Sequence, residues 1–247
     1  PDIVLHAAAL KHVPICEKHP ADAMKTNILG TKIVSETAIK YKTKIMVLIS
    51  TDKAVDPTNF MGASKRAAEI YIQNLDKENS ITNFVTVRFG NVLGSTGSVI
   101  PLFQKQIKRG GPLKVTHKDT TRFFMSVKEA VELVLISLSS SVNKKERGYI
   151  NVLEIGEPMK IDNLAKQLAR LSGLTPGKDI EIIYTGLRTG EKLHEKLFHQ
   201  DEEKLKTDHP DILIAKSRKL NFADINEILS SMDNALMQND LISIEML

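Results

Sequence analysis

Ile45-Met46-Val47-Leu48-Ile49-Ser50-Thr51-Asp52-Lys53 is the stretch on which the fold turns. Five apolar residues without a polar break suit a strand covered on both faces, as in a parallel sheet. The run ends at Ser50 and polar residues follow at once. Open parallel sheets place their ligands at this end of a strand, beyond its carboxyl terminus. Upstream, His19-Pro20 offers a helix start, and residues 21–40 continue it with Met24, Ile28, Val34 and Ala38 on one stripe. Before that, Ile3–His6 reads as a short buried strand that begins almost at the first residue. Pro1-Asp2 leads straight into it, so the sequence is expected to be a piece of a longer polypeptide whose missing part is N-terminal.

Downstream, a helix is predicted from about Met61 to Asn74 and a strand over Phe84–Arg88. Strands separated by helices of this length argue for right-handed crossovers and a parallel α/β sheet. After Gly90 the texture changes, with three glycines in Gly90–Ser98, helices at Pro101–Arg109, Val127–Ser137 and Ile161–Ser172, and short strands between them. Those strands are Leu113–Val115, Tyr149–Leu153 and Ile180–Tyr184; beyond Gly186 the sequence reads as a charged loop. The last 25 residues are expected to hold an amphipathic helix carrying Phe222, Ile225, Leu229, Met232 and Leu236. A smaller mixed α/β lobe therefore follows the sheet, and a ligand crevice is expected between them.

The 247 residues, 42% of them hydrophobic, are enough to bury a core. Lys and Arg number 34 against 30 Asp and Glu, spread along the chain, so the net charge of +4 selects no partner by itself. Aromatics are only 5% with no Trp, which argues against stacking single-stranded nucleic acid, and no nucleic-acid partner is expected. A single cysteine, Cys16, excludes an internal disulfide framework and suits the cytoplasm. No apolar run approaches about 18 residues, so membrane attachment is expected only through upstream segments.

Asp52 beside Lys53 supplies an acid and an amine at a strand end; the same pair also reads as an ordinary surface ion pair. Met61 and Lys65 stand four apart and share a helix face, which by itself reads as a core methionine and a solvated lysine. In Arg88-Phe89-Gly90-Asn91-Val92-Leu93-Gly94 the glycines allow close backbone approach to a ligand, and Asn91 can both donate and accept. Arg122 and Arg188 have the planar fork that suits phosphate oxygens. No G-x-G-x-x-G, P-loop, G-x-S-x-G or metal-binding histidine spacing is present, and no metal is expected.

Together, His6-Ala7-Ala8-Ala9-Leu10-Lys11-His12-Val13-Pro14, Ser50-Thr51-Asp52-Lys53-Ala54-Val55, Pro57-Thr58-Asn59-Phe60-Met61-Gly62-Ala63-Ser64-Lys65, residues 88–95 and Gly186-Leu187-Arg188-Thr189-Gly190-Glu191-Lys192 occur in one order. That order resembles the polysaccharide-biosynthesis branch of the extended short-chain dehydrogenase/reductases, the UDP-N-acetylglucosamine 4,6-dehydratases of capsule, O-antigen and flagellin-glycan pathways. The resemblance runs from Pro1 to about Asp201. It implies an α/β, Rossmann-like parallel sheet lacking its N-terminal βαβ unit. Residues 1–92 would be the C-terminal part of the NAD(P)-binding sheet, and 93–247 mostly a UDP-sugar lobe with some segments returning to the sheet.

The resemblance also implies roles. Asp52 would protonate the departing 6-hydroxyl, Lys53 would take the C5 proton, and Thr51 would bond the 4-hydroxyl. Met61 stands where most relatives carry a catalytic Tyr and has no proton to exchange; Lys65 would hold the nicotinamide ribose. His6, Ala7, Ala8, Lys11, Asn27, Ser50, Phe89, Gly90 and Val92 are the further positions expected against NAD or NADP, whose glycine-rich binding loop is not in this sequence. Asn91, Val99, Pro101, Leu102, Thr116, Arg122, Arg188 and Glu191 are expected against the UDP-sugar, with Thr189 in place of a usual proline. A homo-oligomer is expected, and the fragment alone is expected to be inactive. Two other readings stay open. One is a UDP-sugar 4-epimerase, which shares fold and cofactor but needs no Asp-Lys pair; the other is a catalytically incomplete nucleotide-sugar-binding fragment.

Overall fold

The computed structural model describes residues 1–95, 97–142, 146–154, 156–216 and 222–238. In chain order, β1 (Ile3–His6) precedes α1 (Val13–Lys18), α2 (Pro20–Met24), a π-helical turn (Lys25–Leu29) and α3 (Gly30–Lys40). β2 (Ile45–Thr51) passes through a 3-10 turn (Asp52–Ala54) to α4 (Phe60–Glu78) and β3 (Asn83–Phe89). Next come β4 (Asn91–Val92), α5 (Val99–Lys108), β5 (Leu113–Val115), β6 (Thr121–Arg122), β7 (Phe124–Met125) and α6 (Val127–Ser141). The remaining elements are β8 (Ile150–Leu153), β9 (Met159–Lys160), α7 (Ile161–Leu171), β10 (Ile182–Tyr184), β11 (Glu203–Lys206), β12 (Ile212–Lys216) and α8 (Phe222–Gln238).

Six strands form the central sheet in the order β1-β2-β3-β8-β12-β11. The first four run parallel, while β12 is antiparallel to β8 and β11 to β12. Because β2 is apolar on both faces, it serves two cores. Met46 and Leu48 pack with Phe84 under α3, α4 and α8. Ile45 and Val47 pack with Val85 and Val87 under α6. Each such side chain taken fully from water contributes about 1.5–3 kcal/mol, so the uninterrupted run holds two helical layers at once. The expected mainly parallel α/β sheet is the observed one.

β1 differs from expectation. Read as a buried strand, it is the sheet's edge, and Ile3 and Leu5 are 47% and 54% exposed. It pairs only with β2 among the described residues, which leaves its outer side uncovered. The stretch after Gly186, read as a charged loop, contains β11 and β12. The run Ile212-Leu213-Ile214-Ala215 is fully in the core beside β8. In α8, Ile225, Leu229, Met232 and Leu236 are buried as their spacing predicts. The side chain of Phe222 and all of 239–247 lie outside the described residues.

A third, smaller core joins Phe103 of α5, Leu113 and Val115 of β5, and Ile161, Ala165 and Ala169 of α7. It stands beyond the carboxyl ends of β1, β2 and β3. No described helix is long and apolar enough to cross a membrane.

Candidate active site

A cavity of about 440 Å³ lies between the sheet and this third core. Its sheet wall is Ala7 and Lys11 after β1, Ser50 and Thr51 at the end of β2 with Lys53 after it, and Phe89 at the end of β3 with Gly90, Asn91 and Val92 after it. Met61 and Lys65 of α4 close the floor, and Val99, Leu102, Thr116, Arg122, Arg188 and Glu191 line the opposite wall. His6, Ala8, Asn27, Asp52 and Pro101 do not line it.

Three of those five have another, visible task. His6 is buried with Nε2 3.0 Å from Thr31 Oγ1. The Thr31 hydroxyl gives its one proton to Asn27 O at 2.7 Å, so His6 Nε2 carries the N–H. Burial, and then the charge of Lys65, hold this imidazole below its ordinary pKa, and it stays neutral at pH 7. Asn27 sits in the π-helical turn, a deviation common at functional sites. Its Oδ1 accepts from Leu10 N at 2.7 Å, and its Nδ2 donates to Leu10 O at 3.0 Å and to Ser64 Oγ at 2.9 Å. Asn27 thereby fastens the 7–12 loop, one rim of the cavity, to α4. Asp52 is fully buried at the base of the Lys53 turn.

The acid–base pair is built by the 3-10 turn. Thr51 caps the turn, and its hydroxyl donates to Asp52 Oδ1 at 2.9 Å. Lys53 Nζ donates to the same Oδ1 at 3.0 Å and to Asn91 Oδ1 at 3.0 Å. Asp52 Oδ2 is buried without a partner among the described residues, and buried polar atoms rarely go unsatisfied without a functional reason. On α4, Asn59 caps the helix by accepting from Gly62 N at 2.7 Å. Lys65 reaches back to Ile49 O at 2.7 Å, leaving two of its three donors for the cavity. Burial pushes the Lys65 amine down to about 8, with Glu69 opposing the shift.

Gly62 has a steric reason to be glycine. A Cβ there would run into the carbonyl oxygen of Lys53 and stand 3.2 Å from Pro57 Cβ. Gly62→Ala is expected to cost about 1–3 kcal/mol by overpacking and to displace the Lys53 turn. Denaturant melts check the first effect; unchanged stability would show that α4 does not set the position of Lys53.

The opposite wall is organised by Arg122. Its guanidinium donates to Thr121 O (2.7 Å), Leu193 O (3.2 Å), Lys192 O (2.9 Å) and Glu191 Oε1 (3.2 Å), so it shapes the 188–195 loop. Thr116 Oγ1 also donates to Glu191 Oε1, at 3.0 Å. Gly190 adopts φ +73° and accepts from Thr58 Oγ1 and Asn59 Nδ2 at 3.1 and 2.8 Å, joining this loop to the start of α4. Arg188 is exposed, and its guanidinium pairs with no carboxylate among the described residues. Sequence reasoning missed Glu195. Its carboxylate lies 3.8 Å from Lys53 Nζ, 3.9 Å from Arg122 Nε and 3.6 Å from Lys192 Nζ. Glu195 sits past the 186–192 motif, and no spacing in the sequence ties it to Lys53. Among the described residues, no cluster of histidine, cysteine and carboxylate side chains could hold a metal.

Comparison with known proteins gives a consistent picture. The family described as "Polysaccharide biosynthesis protein" matches residues 1–217, beyond the Asp201 where the resemblance was expected to end. The chain is 53% identical over 202 residues to the capsular polysaccharide biosynthesis protein CapD of Staphylococcus aureus, covering 82% of this chain and 33% of that one. It is 40% identical over 207 residues to a Campylobacter jejuni UDP-N-acetylglucosamine 4,6-dehydratase (inverting), covering 83% and 58%. It is 41% identical over 203 residues to a UDP-glucose 4-epimerase of Rickettsia canadensis, covering 81% and 57%. The chain thus spans between a third and three fifths of these relatives. Among solved structures, Pen from Bacillus thuringiensis aligns with a TM-score of 0.79 at 36% identity, over 89% of this chain and 66% of that one.

Proposed function

This chain belongs to the polysaccharide biosynthesis protein family, and from that premise we propose that it carries the acid–base and substrate-holding part of a UDP-N-acetylglucosamine 4,6-dehydratase. One observation carries the reading: an amine and a carboxylate 3.0 Å apart at a strand end, the amine reaching the cavity. Removing water across two carbons needs a base at one and an acid at the other.

NAD or NADP would supply oxidation at sugar C4 and its reversal at C6. The two spare Lys65 donors, next to Ser50 and Thr51, fit the hydroxyls of its ribose. In this reading residues 1–92 serve that cofactor, and 93–247 mostly hold the sugar nucleotide.

The chain's own chemistry is a proton exchange. A proton passes from Lys53 to Asp52 along their hydrogen bond, leaving a neutral amine and a neutral acid. Lys53 takes the proton from C5 of the 4-keto sugar. The C5–H electron pair becomes the C5=C6 bond as the C6–O bond breaks, and the Asp52 proton reaches the departing oxygen through Thr51, whose hydroxyl bonds Asp52 and lines the cavity, to release water. The pair is then an ion pair again; Lys53 returns its proton to C5 as C6 is reduced and regains one from solvent. Met61 cannot accept the proton of the 4-hydroxyl. Asp52 already carries the Lys53 proton, so the proton of the 4-hydroxyl leaves to solvent.

The deciding experiment incubates the longest natural polypeptide containing this chain with UDP-N-acetylglucosamine and NAD or NADP. A dehydratase yields a sugar nucleotide lighter by one water; an epimerase yields one of equal mass, and that result would replace this reading. Arg188→Ala is expected to weaken UDP binding by about 1.5–3 kcal/mol, the range for a charge-assisted hydrogen bond. Unchanged affinity by calorimetry would remove Arg188 from the nucleotide site.

A further inference from the structure

Lys53 as an ammonium has three protons to place. Asp52 and Asn91 take two, each at 3.0 Å. The third side of the amine faces Glu195 Oε1 at 3.8 Å. Glu195 is not a surface charge, since its side chain is 4% exposed. Its Oε2 is buried with no hydrogen-bond partner among the described residues. A buried carboxylate must be compensated by nearby cations, and Glu195 has three, Lys53, Arg122 and Lys192, none closer than 3.6 Å. Each of the other two is already engaged: Lys192 donates to Val55 O, and Arg122 to Glu191 and three carbonyls. Of the three cations, only Lys53 can change charge during the proposed elimination.

We propose that Glu195 is a positioning residue for Lys53: it holds the amine between Asp52 and Asn91 and stabilises the ammonium that forms when Lys53 takes a proton. Its carboxylate strengthens Lys53 as a base, and Arg122 and Lys192 moderate that effect by sharing the charge. The loop that brings Arg188 and Glu191 to the cavity wall therefore also supplies the electrostatics of the proton-transfer pair on the other wall. The role of Lys53 as a base rests on the dehydratase reading; the link between Glu195 and Lys53 does not.

The test follows the charge of Lys53 directly. Lysines are labelled with carbon-13 at Cε, which leaves the amine and its protons untouched, and the Lys53 resonance is identified by its loss in Lys53→Arg. Glu195→Gln is expected to lower the titration midpoint of Lys53 by about one pH unit, the size of effect a nearby opposite charge exerts. Lys192→Met removes a competing cation and is expected to raise it. Asp52, Asn91 and Glu195 face the amine, and Lys53, Arg122 and Lys192 face Glu195, so the two variants isolate one link in opposite directions. Should Glu195→Gln fail to fold, Lys192→Met carries the test. Midpoints unmoved in the folded variants would overturn the proposal. A shifted midpoint in a protein that releases no water would instead retain this link and discard the dehydratase reading.

Discussion

Lys53→Ala is expected to slow water elimination by about 10²–10⁴-fold, the usual contribution of a positioned acid–base group. The sharpest readout is hydrogen exchange at C5 of the 4-keto-6-deoxy product in deuterated solvent, since that wash-out requires only a base. Lys53→Ala should lose it. Asp52→Asn should lose dehydration as well, because an amide can neither accept the Lys53 proton nor protonate the departing oxygen. A structural ion pair predicts something else, namely two unstable variants with similar residual chemistry. Thermal melts run alongside separate these cases. Wild-type exchange in a stable Lys53→Ala protein would end the assignment.

Arg88→Met should produce the largest loss of stability, about 3–5 kcal/mol, the cost of removing one partner from a buried ion pair. Arg88 is fully buried and forks between two carboxylates. Its Nε and Nη2 donate to Glu69 at 2.9 and 2.8 Å, and Nη1 and Nη2 donate to Glu202 at 2.7 and 2.9 Å. Burial alone would raise the Glu69 carboxyl, but the Arg88 guanidinium overrides it and holds the group down at about 2. Glu69 therefore adds stability that is fully present above its unfolded value near 4.5 and is lost as pH falls toward 2. In Arg88→Met the carboxylates lose their cation and gain from protonation, so the gap between variant and wild type should narrow on acidification. Urea melts at pH 7 and pH 4 measure it; a gap independent of pH would show that Glu69 is not the group responsible.

Much of the sheet could be read from local sequence. β2 was visible because its apolar run is continuous, and β3 and α4 because their patterns fit a strand–helix alternation. The candidate site was visible where polar residues follow strand ends, as at Ser50–Lys53 and Phe89–Val92. β12 was missed although Ile212–Ala215 is as apolar as β2, because charged segments surround it and its partners β8 and β11 are not neighbours that local spacing can identify.

The sequence by itself determined the strand–helix order, the two-faced burial of β2 and the placement of Asp52 and Lys53 at a strand end, because these depend on spacing and side-chain type. Only the tertiary structure decided which charges share a site. Glu195 reaches Lys53 across 142 positions, and Glu202 reaches Arg88 across 114. Such pairs exist because the 188–202 segment packs over the strand ends. No local propensity records that packing, which brings together segments far apart in the chain.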